Sequence, residues 1–178
     1  VANWRDDEQS MLWVDIQYEG LDSVALKLRE FDIHPLAIDD ALRTRHPPKI
    51  EFFDEQFFIL YRGIDCINGA LDFEHQQIAL FVEHNLLVTV HPSQSPGIDK
   101  TMEDFAKIKH MTPMHLALRI MKVSSSIYLD NVLEFESHLS DLEDQFLAQG
   151  NDQLLGELTL HKSKLIKLIR AFKYHHSI

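Results

Sequence analysis

The spacing of apolar residues changes along this chain, and each spacing predicts a different element. "MLWVDIQ" (11–17) has the branched and aromatic content of a strand. "LDSVALKLREF" (21–31) carries Val24, Leu28 and Phe31 at helical spacing, which predicts a short amphipathic helix with these three inward. Pro35 suits the first position of a second helix. Pro47-Pro48 forbid helix around Arg45 and His46, which leaves about two turns at 35–43. "QFFILYRGIDCI" (56–67) reads as a strand, and "QQIALFVEHNLLVTVH" (76–91) as two strands around the turn Glu83-His84-Asn85. Beyond Pro92 and "SQSPG" a helix is predicted over about 98–109, carrying Met102, Phe105 and Ile108. Residues 11–111 therefore predict an α/β body with a mixed, partly antiparallel sheet flanked by helices.

From Pro113 the pattern changes. Met114, Leu118, Met121, Ser125, Tyr128, Val132, Phe135, Leu139, Leu142 and Phe146 follow one another in alternating steps of four and three, a heptad seam. Gly150-Asn151-Asp152 breaks this helix and caps a second, whose seam includes Leu154, Leu158, Leu165, Leu168 and Phe172. The first arm, at 1.5 Å per residue, would be about 50 Å long. A compact globule of this length has a radius of gyration of only about 16 Å, so a long antiparallel hairpin should project from the body. The division expected is a body over 1–111 and a helical hairpin over 112–178. Acids on the first arm (Asp130, Glu134, Glu136, Asp141, Glu143, Asp144) would face bases on the second (Lys162, Lys164, Lys167, Arg170, Lys173). Such exposed pairs contribute little energy each.

Composition narrows the class. The 178 residues suit one domain or one domain with an appendage, and 45% hydrophobic with 25% charged residues is a globular composition. A formal net charge of −11 argues against nucleic acid as a partner, because phosphate binding needs a basic face, and favours cations instead. The single cysteine, Cys66, lies in an apolar run where a small buried side chain is expected. "VANWRDDEQS" lacks the apolar core of a signal peptide, and no run reaches the ~18 apolar residues of a membrane helix. As a sequence, the chain reads as soluble and cytoplasmic.

The candidate chemistry centres on "HPLAIDDALRTRHPPKIEFFD" (34–54), which places Asp39 and Asp40 together on the proline-started helix. Adjacent helical residues point about 100° apart, so the two carboxylates cannot converge on one ion from a single rigid helix. Magnesium takes oxygen ligands and often binds through one or two carboxylates. A metal held by one of these aspartates therefore needs a co-ligand from elsewhere in the fold or from another subunit; otherwise the pair is surface decoration. His34, His46, His75, His84, His91 and His110 lack the i, i+4 spacing of a helical zinc site. There is no glycine-rich phosphate loop and no serine elbow. In "VSSSI" (123–127) Ser125 reads as a small packing residue, so no enzyme is expected.

The runs "IHPLAIDDAL" and "RHPPKIEFFDEQFFILYRG" resemble the cytoplasmic domain of the CorA family of divalent-cation transporters. "MLWVDI", the paired strands of "QQIALFVEHNLLVTVH" and the long acidic helix with its return agree in order, so the resemblance covers essentially the whole chain. It implies a funnel-type α/β domain with a helical hairpin, from a homopentamer whose stalk leads into two membrane helices. A Gly-Met-Asn motif ends the first of these. The chain stops at "LIKLIRAFKYHHSI", before stalk and pore, and so reads as a soluble part of a longer protein of the inner membrane, on its cytoplasmic side.

By the resemblance, the second acid of the proline-started helix, Asp40, faces an acid on a neighbour's stalk across a regulatory divalent ion. Asp39 is a second participant. The implied ligand is magnesium or cobalt. The zinc-transporting ZntB branch is one alternative, and a free-standing soluble module that assembles through its hairpin is another. "LALRIMKVSSS", where magnesium-binding members often carry acids, offers Arg119 and Lys122 and no carboxylate, which argues against a second regulatory ion.

Overall fold

The computed structural model describes residues 10–176 apart from 19, 45, 70, 71, 106, 108–110 and 151. The burial expected of Cys66, the inward place of Ile108 and the capping role of Asn151 fall outside the residues and side chains described. The elements are β1 (Leu12–Gln17), α1 (Leu21–Glu30), α2 (Pro35–Leu42), β2 (Lys49–Phe53) and β3 (Gln56–Gly69). They continue as β4 (Asp72–Val82), β5 (Leu86–His91), α3 (Pro96–Phe105), α4 (Pro113–Gln149) and α5 (Asp152–His175).

The five strands form one sheet in the order β1-β5-β4-β3-β2, and its mixed, partly antiparallel character is what the sequence predicts. β1 runs parallel to β5, and the other pairs are antiparallel. Strand residues alternate between two cores. Phe58, Leu60, Phe81, Val88 and Val90 pack under α1 and α2, against Val24, Leu28, Ala37, Ile38 and Ala41. Ile59, Tyr61, Ile78, Leu80 and Leu87 pack on the other face against Ile98 of α3 and Leu116, Ala117 and Ile120 of α4. Helices on both sides explain why every residue of β5 is buried.

Three details differ from the sequence reading. The apolar pattern does not predict β2, whose short run "KIEFF" alternates between half-buried and exposed positions at the sheet edge. Only Asp54-Glu55 connects it to β3, since Phe53 already pairs with Gln56. Asp54 takes the left-handed conformation (φ 52°), which aspartate tolerates better than branched residues do. In α3 the inward residues are Ile98, Thr101 and the half-buried Phe105, which meets Trp13 edge to face at 5.6 Å; Met102 is largely exposed. Gly97 brings α3 close to α4, because a Cβ there would lie 2.2 Å from Ser124 Oγ.

The third difference lies in α4. Leu118 and Ser125 of the expected seam are exposed, while Leu116, Ala117, Ile120 and Ser124 are buried. These first turns pack on the sheet rather than on a helix. The heptad reading holds from Tyr128 to Leu142, beyond which Phe146 is exposed: Tyr128, Phe135 and Leu168 are buried together, with Val132, Leu139 and Leu165 against them. Ring contacts fix the antiparallel order of the arms, with Tyr128 beside Phe172 at 5.4 Å and Phe135 beside His161 at 5.2 Å. Tyr128 also ties the hairpin to the body by donating to the Arg62 carbonyl of β3 at 3.2 Å.

Candidate functional site

The helix that carries Asp39 and Asp40 is held at both ends. At its start, His34 Nδ1 accepts from the Leu36 backbone N–H at 3.3 Å, and the imidazole stacks on Phe53 at 4.5 Å. Gln56 Oε1 accepts from the His34 N–H at 3.2 Å. At its end, the Gln77 side chain donates to the carbonyls of Ala41 and Arg43 and accepts from the His46 N–H at 3.1 Å. One glutamine of β4 thus anchors both the helix end and the proline loop behind it.

This framing separates the two acids. Asp39 is exposed, whereas the Asp40 side chain is only 18% exposed and turns toward β2. Lys49 Nζ donates to Asp40 Oδ2 at 2.5 Å, and lies 2.9 Å from Glu51 Oε2. His46 Nε2 stands 3.5 Å from Asp40 Oδ1, while Nδ1 of the same ring contacts the Pro47 carbonyl at 3.0 Å. Burial pulls the Lys49 pKa down, but the hydrogen bonds it donates to Asp40 and Glu51 outweigh this and hold its pKa above the ordinary lysine value. Leu36, Asp39, Asp40, Arg43, Glu51, Phe52 and Phe53 line the shallow groove around this cluster.

Asp39 lies exposed while Asp40 turns to Lys49, and among the described residues no three His, Cys, Asp or Glu side chains are grouped to hold a metal. Chemically, Asp40 is a carboxylate whose charge is matched by a tethered cation. A divalent ion reaching it would displace Lys49, and Glu51 stands ready to take the ammonium. The sequence reading finds Asp40 but not this partnership. The Lys-x-Glu spacing of a β-strand, with both side chains on one face, is the signal that recognising β2 would supply.

Several of the scattered histidines meet local partners. His34 caps α2, and His75 Nδ1 meets the Tyr128 hydroxyl at 2.8 Å. Arg119, on the stretch without carboxylates, pairs with Asp104 of α3 at 3.0 Å. His91 is buried where β1 and β5 pair in parallel. Its Nε2 lies 3.0 Å from Asp15 Oδ1 and its Nδ1 2.5 Å from the Ser93 carbonyl. Thr89 Oγ1 donates to the same carboxylate and accepts from Trp13 Nε1 at 3.1 Å. Both partners of the imidazole are pure acceptors, so only the imidazolium satisfies both. Burial pushes His91 down, yet the bonds to Asp15 and Ser93 raise its pKa above the ordinary histidine value.

A raised folded-state pKa contributes stability that is complete below the unfolded value, about 6.5, and is lost as pH climbs through the folded value. The melting temperature should therefore fall across that alkaline-going window, and His91→Gln should flatten this part of the profile. An equally steep slope in the variant would assign the titration to another group.

Fold and site together define a class: a three-layer α/β body with a charge-matched carboxylate at its edge and a long helical hairpin. A family model described as CorA-like Mg2+ transporter protein matches residues 8–178, and the chain belongs to that family. It is 28% identical over 163 residues to the putative metal ion transporter YfjQ of Bacillus subtilis, covering 89% of this chain and 50% of that protein. It is also 28% identical over 167 residues to the cobalt/magnesium transport protein CorA of Thermotoga maritima, covering 91% of this chain and 48% of that protein. The chain thus spans about half the length of the curated relatives it matches. The soluble domain of CorA from Methanocaldococcus jannaschii has the same fold. Its TM-score is 0.80 at 16% identity, covering 98% of this chain and 70% of that one. Among the described residues no helix is long and apolar enough to cross a membrane.

Proposed function

We propose that this chain is the cytoplasmic regulatory domain of a CorA-type magnesium or cobalt transporter, a pentamer of the inner membrane, and that Asp40 senses the ion at a subunit boundary. Asp39 is the secondary participant. The observation that carries this reading is the state of Asp40: a partly buried carboxylate at an open edge, matched by a lysine that has a second acid in reach. The rim supports a covering partner, since Leu36 and Phe52 beside the acids are 59% and 66% exposed. A divalent ion bridging Asp40 to an acid of a neighbouring subunit would favour the closed arrangement as RT ln(1 + [L]/Kd). When the ion leaves, Lys49 returns to Asp40 and the bridge is lost.

The test is cation flux through the full-length protein across a magnesium titration. Asp40→Asn removes a ligand charge and should move the inhibition curve at least about tenfold toward higher magnesium, with flux at low magnesium preserved. Lys49→Gln removes the competing cation and should move the curve the other way. An inhibition curve unchanged in Asp40→Asn would reduce the acid pair to surface decoration. Parallel flux of zinc against magnesium and cobalt decides the ion class.

A further inference from the structure

Folding of the hairpin brings together two histidines that the sequence holds on separate helices. His138 of α4 and His161 of α5 lie with ring centres 5.4 Å apart and planes at 87°. His161 is only 9% exposed, wedged beside Phe135, and its Nδ1 has no hydrogen-bond partner. His138 is exposed and opens the pair to solvent. A buried polar nitrogen without a partner is unfavourable, and such an atom calls for a partner such as a water or an ion.

We propose that His138 and His161 form a two-imidazole site for a zinc-class divalent cation that clasps the two arms of the hairpin. Two imidazoles bound to one tetrahedral zinc, at Zn–N about 2.0 Å, hold their ring centres about 5 Å apart, close to the spacing seen here. Imidazole suits zinc, cobalt, nickel and copper, whereas magnesium prefers oxygen. The site therefore answers to a different ion chemistry from the carboxylate edge at Asp40. Burial, with His138 and Lys164 beside it, holds the His161 pKa below the ordinary histidine value against the pull of Glu157. Among the described residues no third His, Cys, Asp or Glu already stands in place. Water completes the coordination, with Glu157 one turn before His161 on the same helix face. Two fixed ligands make an exchangeable site rather than a permanent structural one.

Zinc chloride titrated into the purified chain at neutral pH, in excess magnesium, tests this. Calorimetry should find one zinc per chain, with a rise in melting temperature, and the imidazole nitrogen NMR signals of His138 and His161 should shift together. His138→Ala changes an exposed residue, and should lose zinc affinity by at least about tenfold together with the thermal gain. Asp40→Asn should leave both unchanged, which keeps this site separable from the regulatory one. Zinc affinity unchanged in His138→Ala, or zinc shifts confined to other histidines, would overturn the proposal. So would failure of zinc to bind the wild-type chain over magnesium.

Discussion

Phe81→Ala is expected to lower the stability of the chain by about 3–5 kcal/mol, the usual range for emptying a fully buried phenylalanine site. Phe81 is 0% exposed, sits directly opposite Phe58 in the β3–β4 ladder, and stacks on its ring at 5.2 Å. Phe58 in turn meets Phe53 of the edge strand at 6.4 Å. The ring thus lies in the core between the sheet and the α1–α2 layer. The loss combines the transfer free energy of the ring with an unfilled cavity. In a urea titration followed by tryptophan fluorescence, the midpoint should fall while the slope stays constant. A loss under about 1 kcal/mol would mean that the layers collapse freely onto the vacated site.

Leu142→Asp should act through a different route and on a different part of the molecule. Leu142 is 4% exposed in the distal seam, while Phe146 and Leu147 just beyond it are 37% and 84% exposed. The packing there is thin. A carboxylate at Leu142 enters a buried position of the seam, and burying it unpaired costs several kcal/mol. Opening the distal arms relieves that cost, so the damage is capped by what those arms contribute. Backbone amides from about Phe135 through Leu165 should exchange orders of magnitude faster, while those of β3, β4 and β5 stay protected. Leu139→Asp, at a half-buried position, should show a milder form of the same effect. If the body instead lost as much stability as in Phe81→Ala, body and hairpin would be one cooperative unit. That result would count against the division at 111/112 that we propose.

The strands and most helices could be read from sequence because their signals are local. β5 is a short run of Leu and Val broken only by Thr89 before His91, α2 has Pro35 at its start and Pro47-Pro48 after its end, and Gly150 stops α4 with its N–H on the Phe146 carbonyl at 2.8 Å. β2 is not legible in the sequence because an edge strand of five residues has too few positions to establish a period. The seam of α4 was misplaced before Tyr128 for a related reason. A heptad assumes a helical partner throughout, whereas the first turns of α4 face a sheet, and the stripe that a flat sheet buries runs through Leu116, Ile120 and Ser124.

Asp40 was legible as a candidate, and the need for a second ligand from elsewhere followed from the 100° step between neighbouring helical residues. Its present partner was not. Lys49 reaches Asp40 only because α2 packs over the β2–β3 edge, and Gln77, far along the chain, holds the helix end that aims the carboxylate.

What the sequence determined by itself was therefore everything carried by short-range chemistry: element types, the turns set by proline and glycine, the acidic balance, and a motif run that places the chain in its family. Only the tertiary structure decided which charges and rings meet. Asp40 with Lys49, His91 with Asp15, and His138 with His161 are contacts between elements, set by layer packing and helix register. No local propensity encodes such distances, because each depends on how two apolar surfaces, far apart in the chain, bury one another.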